Sequence, residues 1–254
     1  IDILTQAPQS ALCDRILPDL LAGQLAGATG LSNAMKFLSG LEELQIGGVA
    51  DGKGGWRLSG QLHWVTNLQT RGFQAVTVVQ PVGGGEPFIA SIGSGLAGVS
   101  RSADLALMAM QGSATAALHF DDVALEKDGV IHSAARTFLP AVRPRFLGLQ
   151  CGMALGLAEC ILDECRDRLS DGHVLRGEWQ TLAQRYRQSR SDLYAGVESQ
   201  RFVQQPGELF RLRIGLVELA INGIQLELML AGGRAYLSPQ GDRTARRWRE
   251  CAFL

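Results

Sequence analysis

The sequence lacks an excess of charge of either sign, with 24 basic residues against 25 acidic ones in 254 residues. Proteins that bind nucleic acid or an acidic membrane surface carry a basic excess, which this chain does not have. The sequence also lacks an uninterrupted run of about 18 apolar residues, the length that crosses a bilayer. We therefore expect a protein that binds neither nucleic acid nor membrane.

The sequence is also poor in metal-binding patterns. Its five cysteines form no CxxC pair, and its four histidines are scattered without the spacing of a zinc site. Cys151 and Cys160 lie in an apolar stretch of helical period, where buried free thiols are common. We therefore expect a reducing compartment and no metal site. The chain begins at Ile1 without a signal-type leader, so we expect a cytoplasmic protein and a gene product longer than this chain.

Three zones of the chain differ in the period of their apolar residues. Residues 1–42 contain helical segments broken by glycine-rich turns. Residues 43–130 alternate apolar and polar side chains between turns, which predicts the short strands of a small barrel or sandwich. Residues 131–254 carry apolar side chains at three- and four-residue steps, which predicts a bundle of long helices. This order predicts an α+β fold with three domains divided at those positions.

The same patterns predict individual elements. A hairpin signal lies at residues 51–55, and strands are predicted at 56–65, 73–80, 87–92, 103–110 and 114–125. Long helices are predicted at 146–169, 179–199 and 209–231, with a shorter one after residue 237. The third long helix is apolar over most of its circumference, more than a small bundle can cover. We therefore expect a homodimer or homotetramer formed through this bundle.

Four short strings occur together in an order that is typical of one enzyme family. They are WRLSGQLHWVTN at 56–67, ATAALHFDDVAL at 114–125, GGRAY at 232–236, and arginines three residues apart at 243, 246 and 249. Each string alone is a weak signal, whereas their order and intervals together are more specific. On these strings the chain resembles the acyl-CoA dehydrogenase superfamily along essentially its whole length.

The resemblance implies FAD as a cofactor and an acyl-CoA-like thioester as a substrate. In the family, the tryptophan and threonine of the first string lie against the flavin ring, which implies this role for Trp64 and Thr66. An indole face can stack on an apolar ring, and a hydroxyl can hydrogen-bond a flavin nitrogen. The two residues lie two apart on an alternating strand, so both point to one face. A core tryptophan beside a strand threonine is the alternative interpretation.

The resemblance also implies contacts to the cofactor diphosphate. Residues 28–33 occupy the place of a glycine-rich family loop, which implies hydrogen bonds from Thr29 and Ser32. An ordinary helix-capping turn is the alternative there. In the family, a partner subunit and a Gly-Gly element supply further contacts to the diphosphate. The corresponding residues in this sequence are Arg166 or Arg168, Gln180, Gly232 and Gly233.

The catalytic base of the family has no counterpart within the chain. Members of the family place the base at one of two positions. The first, counted on from Arg246, falls one residue beyond Leu254. The second falls within residues 141–152, which contain no acidic residue. Dehydrogenation of an acyl thioester needs a carboxylate to remove the α-proton. The family also carries about a hundred residues of N-terminal helices ahead of this segment, which we expect to be truncated, disordered or abbreviated here.

Three functions therefore remain open from the sequence. The first is α,β-dehydrogenation of an acyl-CoA thioester by an FAD-dependent enzyme. The second is a flavin-dependent monooxygenase on the same scaffold, which needs no α-proton base. The third is a non-catalytic homologue that serves as a binding module or an oligomer partner. The fold alone does not decide among them.

Overall fold

The computed structural model describes residues 1–8 and 10–254, which form two compact units of residues 1–142 and 143–254. The first unit combines short helices with a mixed sheet, and the second consists of helices. The predicted α+β class with a C-terminal helical bundle is confirmed. The division into three domains at residues 42 and 130 stays a prediction.

Three short helices precede or interrupt the sheet of the first unit: α1 (Asp2–Gln6), α2 (Ala11–Leu21) and α3 (Ser32–Leu38). The Ser10 hydroxyl caps α2, because its oxygen accepts a hydrogen bond from the Cys13 amide at 3.3 Å. Buried residues recur at four-residue steps along α2, at Leu12, Ile16 and Leu20. This spacing places one apolar stripe of the helix on the core.

The sheet has eight strands: β1 (Ala26–Gly30), β2 (Ile46–Ala50), β3 (Trp56–Val65), β4 (Phe73–Pro81), β5 (Phe88–Gly93), β6 (Val99–Arg101), β7 (Ala116–Leu125) and β8 (Val130–His132). Their order is β6-β7-β3-β2-β4-β5-β8, and β1 pairs with β4 outside this path. The pairs β1–β4 and β2–β4 are parallel, and the others are antiparallel. An isolated antiparallel bridge joins Thr29 to Thr66 and links β1 to the end of β3.

Strand β4 is buried on both faces from Phe73 to Val79, which explains its mainly apolar sequence. Ala75 and Val79 face the core within the sheet, whereas Val76 and Val78 join the core that α1, α2 and α3 cover. The alternate residues of this strand therefore connect the two apolar cores of the first unit.

The predicted hairpin at residues 51–55 is confirmed, and one predicted strand is wrong. Asp51 Oδ1 accepts hydrogen bonds from the amides of Lys53 and Gly55 at 2.7 and 2.8 Å, and β2 and β3 pair directly on either side. Residues 103–110 form no strand, although their side chains alternate in polarity. The segment lacks a continuous ladder to a neighbouring strand, and Met108 projects into solvent.

The second unit contains most of α4 (Ala135–Arg166), then α5 (Arg176–Glu198), α6 (Arg201–Gln204), α7 (Pro206–Ala231) and α8 (Asp242–Cys251). A short 3-10 turn at Gly232–Tyr236 follows α7. Helix α4 begins well before the predicted residue 146. Gly196 on α5 allows close packing of Phe202, because a Cβ there would lie 2.2 Å from the Phe202 ring. The core of this unit is therefore built mainly from the three long helices.

Two helices meet a length and composition test for crossing a membrane. They are α4 and the segment Pro206–Tyr236, and 39% of the most apolar window in each is buried within the protein. Core helices of water-soluble proteins meet the same test. Both helices supply residues to the packed core of the second unit, so their composition does not by itself indicate a membrane span.

Three of the four cysteines in the second unit are buried, and Cys160 is exposed, which differs from the expected burial of that residue. Burial raises the pKa of the Cys165 thiol to about 12 and that of Cys251 to about 11. Burial also raises the pKa of Cys151 above its ordinary value. These three thiols are therefore protonated and unreactive near neutral pH.

This arrangement predicts selective thiol modification at pH 8. An aromatic disulfide reagent should modify Cys160 rapidly, because that side chain is open to solvent. Cys151, Cys165 and Cys251 should react only after addition of denaturant. Mass spectrometry of digested protein locates each modified thiol. Equal native-state rates for Cys160 and Cys165 would contradict the burial described here.

Candidate functional site

Trp64 lies near the end of β3 with its indole in solvent, where it is 61% exposed. Thr66 is also exposed, whereas Val65 between them is buried. Trp64 and Thr66 therefore project away from the core that holds Val65, as the strand alternation predicts. The alternative of a tryptophan sealed in the core does not hold for Trp64.

Thr29 and Ser32 lie next to this segment. The bridge between Thr29 and Thr66 sets the end of β1 against the end of β3. Asn67 strengthens the junction, because its side-chain amide donates to the Gly27 carbonyl at 3.1 Å. Asn67 has a φ of 64°, a left-handed conformation that asparagine tolerates better than most residues. The predicted loop at residues 28–33 is in fact the end of β1 followed directly by α3.

A cavity of about 190 Å³ opens beside Trp64. It brings Trp64 and Ser32 together, whereas Thr29 and Thr66 lie beside it and do not line it. Its remaining lining residues are Gly30, Asn33, Lys36, Glu42, Gln45, Leu62 and His63. The structure therefore groups four of the predicted site residues at one edge of the first unit.

Glu42 is a carboxylate of this cavity that the sequence analysis missed. Lys36 Nζ donates to Glu42 Oε1 at 2.6 Å, and Asn33 Nδ2 donates to Oε2 at 3.3 Å. These hydrogen bonds hold the pKa of the Glu42 carboxyl below its ordinary value, so it is ionised at neutral pH. The residue belongs to none of the family strings, and only its place between α3 and β2 brings it to the cavity.

A row of hydroxyl groups continues from Thr66 into the protein. The Ser113 and Thr115 hydroxyls are 2.7 Å apart, and Thr115 Oγ1 donates to Thr66 Oγ1 at 3.4 Å. Because the Thr66 oxygen accepts this bond, its own proton remains available for a further acceptor. The exposed Thr66 hydroxyl is therefore suited to act as a hydrogen-bond donor.

The two arginines predicted to contact a diphosphate already have carboxylate partners within the second unit. Arg166 pairs with Asp163 at 2.9 Å and with Asp167. Arg168 pairs with Glu164 at 3.4 Å and lies 4.0 Å from Glu227. An anion that approached Arg168 would therefore compete with Glu164 and Glu227 for the guanidinium.

Gln180 and the glycine pair lie at the surface of the second unit. Gln180 is exposed on α5, and Gly232 and Gly233 open the 3-10 turn that follows α7. Gly232 has a φ of 55°, and a Cβ at either glycine would meet no atom within 4 Å. The backbone at this turn is therefore open to close approach by a ligand.

Glu227 is the centre of a buried polar cluster that no sequence motif marks. It is completely buried on α7, and α8 supplies its hydrogen-bond partners Arg247 and Thr244, while Arg168 lies 4.0 Å away. Arg247 Nε donates to Oε2 at 2.9 Å, and Thr244 Oγ1 donates to Oε1 at 2.6 Å. Burial lowers the pKa of Arg247, but the hydrogen bond and charge of Glu227 outweigh it and raise the pKa. The Arg247 guanidinium therefore remains charged.

Among residues 1–8 and 10–254, no group of three or more histidine, cysteine, aspartate or glutamate side chains is placed to hold a metal ion.

Comparison with known proteins gives one consistent answer at the level of fold. No protein-family model matches the sequence, and no curated protein is similar to it at a significant level. Solved structures do match. Butyryl-CoA dehydrogenase from Megasphaera elsdenii superposes with a TM-score of 0.82 at 18% identity, over 99% of this chain and 69% of that protein.

Two further structures superpose almost as well. Acyl-CoA dehydrogenase from Geobacillus kaustophilus gives a TM-score of 0.80 at 15% identity, over 98% of this chain and 69% of that one. Dibenzothiophene monooxygenase from Paenibacillus sp. A11-2 gives 0.73 at 14% identity, over 99% and 71%. The superpositions establish the fold, whereas identities this low leave the reaction open. The chain has the fold of the acyl-CoA dehydrogenase superfamily over nearly its whole length.

Proposed function

We propose that this chain belongs to an FAD-dependent oxidoreductase that dehydrogenates an acyl-CoA-like thioester between its α and β carbons. The observation that carries the proposal is the exposed Trp64 indole beside a cavity, with the Thr66 hydroxyl projecting nearby. An indole that is exposed on a strand presents a flat apolar face that is suited to cover an apolar ring. The fold shared with acyl-CoA dehydrogenases supports the same proposal.

The residues of the first unit fit the ring end of FAD. Trp64 offers a flat apolar face, and Thr66 offers a hydroxyl whose proton is free to be donated. Thr29 and Ser32, at the adjoining end of β1 and start of α3, would donate hydrogen bonds to the diphosphate rather than to the ring. When bound, FAD supplies the acceptor for the hydride that leaves the substrate. The protein residues bind and orient the ring.

Further contacts to the diphosphate are proposed to come from the second unit of a partner subunit, through Arg168, Gln180, Gly232 and Gly233. Gly232 and Gly233 have the open backbone that a phosphate requires. Arg168 would first have to exchange its contact with Glu164 for a contact with phosphate. We assign no catalytic base, because residues 141–152 contain no carboxylate.

A flavin-dependent monooxygenase is the second candidate. Two observations favour it: residues 141–152 lack an acidic residue, and the fold matches dibenzothiophene monooxygenase over 99% of this chain. This chemistry does not require removal of an α-proton.

A non-catalytic binding module is the third candidate, which the internal ion pairs of Arg166 and Arg168 favour.

Absorbance and anaerobic substrate titration separate the three functions. The purified protein should absorb at about 450 nm, the band of oxidised flavin. Loss of this band on addition of butyryl-CoA without oxygen would support dehydrogenation. Consumption of oxygen by the reduced protein, without such bleaching, would support monooxygenation. A colourless protein that takes up no added FAD would contradict the first two proposals.

Substitution of Thr66 by valine should test the proposed hydrogen bond. Valine keeps the shape of the side chain and removes the hydroxyl, so we expect the flavin absorbance maximum and reduction potential to shift. Thr66→Ser should restore both, because it returns the hydroxyl. Thr115→Val is the matched control for the buried end of the hydroxyl row. Identical spectra and potentials for wild type and Thr66→Val would contradict the contact.

We also propose that the protein forms a homodimer or homotetramer through its helical unit. Half-exposed apolar side chains follow one another along α7, at Phe210, Ile214, Ile221 and Met229. Their spacing of four, seven and eight residues places them along one stripe of the helix. Sedimentation equilibrium should give two or four times the chain mass of 27.3 kDa. A strictly monomeric protein at micromolar concentration would contradict this assembly.

A further inference from the structure

A second and larger cavity lies in the first unit, with a volume of about 630 Å³. It is bounded by α2, by β3, β4 and β5, and by β7 with the turn that follows it. It shares no lining residue with the Trp64 cavity. Sites for small molecules commonly measure about 300–1,000 Å³, so this cavity is large enough for a ligand of its own.

The floor of this cavity contains a buried polar pair in an otherwise apolar layer. Gln74 on β4 is 8% exposed and Ser91 on β5 is 2% exposed, and Gln74 Nε2 donates to Ser91 Oγ at 2.8 Å. Among the described residues this bond leaves Gln74 Oε1, one N–H of the Gln74 amide and the Ser91 hydroxyl proton without a partner. With the amide in either orientation, the pair presents at least one donor and one acceptor.

A glycine opposite Gln74 keeps the amide oxygen uncovered. Gln74 and Gly93 are partners in the β4–β5 register, and a Cβ at Gly93 would lie 3.2 Å from Gln74 Oε1. In the part of the chain that the structure describes, Oε1 accepts no hydrogen bond. Both residues line the cavity. A polar atom on a side chain buried this deeply gains most from a ligand that hydrogen-bonds it.

The rim of the cavity carries an excess of negative charge. Its two arginines are both neutralised, Arg15 by Asp128 at 3.5 Å and Arg57 by two hydrogen bonds from its guanidinium to Asp122. Two further carboxylates on the rim, Asp121 and Glu126, have no ion pair among the described residues. The rim therefore repels anions and attracts cations.

We propose that this cavity binds a small planar carboxamide that is neutral or positively charged. The donor and acceptor at Gln74 and Ser91 match the N–H and C=O edge of a primary amide. Leu12, Ile16 and Leu125 supply apolar surface for the attached ring. The acidic rim disfavours phosphorylated compounds, so the site does not take a nucleotide or a coenzyme A ester. It is independent of the function proposed for the Trp64 cavity.

Three probes of nearly equal size test the proposal in the intact chain: nicotinamide, its cationic 1-methyl derivative, and the anion nicotinate. We expect backbone amide resonances of Ser91 and Gly93 to shift with the first two probes. The affinity of 1-methylnicotinamide should exceed that of nicotinate by about tenfold or more, and added salt should reduce this ratio. Equal binding of all three probes, or no shift at Gly93 up to saturation of probe solubility, would overturn the proposal.

Substitutions test the contributions of the buried Gln74–Ser91 pair and of the acidic rim separately. Gly93→Ala adds one methyl group beside Gln74 Oε1 at a residue whose φ is not positive, so we expect weaker binding of both amides by about tenfold. Gln74→Leu should remove binding, with Gln80→Leu on the same strand as its control. Glu126→Gln should lower the preference for the cation and leave nicotinamide binding unchanged. If Gly93→Ala binds the two amides with unaltered affinity, the proposal is wrong, even if Gln74→Leu fails to fold.

Discussion

Substitution of Arg247 by methionine should lower the free energy of unfolding by about 3–5 kcal/mol, because the buried Glu227 carboxylate loses its hydrogen-bonded cation and keeps only Arg168, 4.0 Å away. Glu227 is fully buried and Arg247 is nearly so, and the two share two hydrogen bonds. Urea denaturation followed by circular dichroism measures the change.

The neighbouring arginine provides a matched control for this prediction. Arg246 lies one position earlier on α8 and pairs with Glu250 at 2.9 Å, but its side chain is largely exposed. Arg246→Met should therefore cost less than about 1 kcal/mol. The double variant Glu227→Met with Arg247→Met should recover much of the loss, since it removes both charges together. A cost for Arg247→Met as small as that of Arg246→Met would refute the buried pair.

Substitution of Trp64 by alanine should raise the dissociation constant for FAD by about tenfold or more. The indole would lose both its apolar contact area and its stacking energy, which together amount to more than about 1.4 kcal/mol. Because the side chain is 61% exposed, the free energy of unfolding of the apoprotein should change by less than about 0.5 kcal/mol. Titration of apoprotein with FAD, followed by quenching of flavin fluorescence, gives the constant.

Two further tryptophan variants complete this test. Trp64→Phe should keep part of the affinity, because a smaller aromatic face remains. Trp248→Ala removes another exposed tryptophan, from α8 of the second unit, and should leave FAD affinity unchanged. If Trp64→Ala binds FAD as tightly as wild type does, the flavin contact assigned to this residue is wrong.

The fold class could be predicted because the period of the apolar residues changes along the chain. The long helices were found from three- and four-residue steps, and the hairpin at Asp51 was found from its turn residues. The strand β1 was missed because its sequence AGATG is rich in glycine and resembles a turn. It forms because β4 supplies a parallel partner over all five of its residues. Such a long-range pairing has no local signal.

The residues of the candidate site could likewise be predicted only where they belong to one continuous segment. Trp64 and Thr66 could be named because both belong to one strand and one family string. Glu42 and Asn33 come from separate segments, and only the tertiary fold brings them to the cavity beside Trp64. The pair of Glu227 and Arg247 was also missed, since a glutamate on an apolar helix gives no sign of its partner. Charged partners on different helices are set by packing that a single sequence does not reveal.

The bridge between Thr29 and Thr66 affects how readily the sheet can pair with strands of other molecules. Strand β1 is held by β4 on one side and touches the end of β3 through this bridge, so strands β1, β4, β2 and β3 close into a ring. The strands left at the two ends of the sheet path, β6 and β8, are only three residues long. Short terminal strands give an incoming chain little backbone to pair with. Sheet-to-sheet aggregation should therefore be slow in this protein, even though its central strands are strongly apolar.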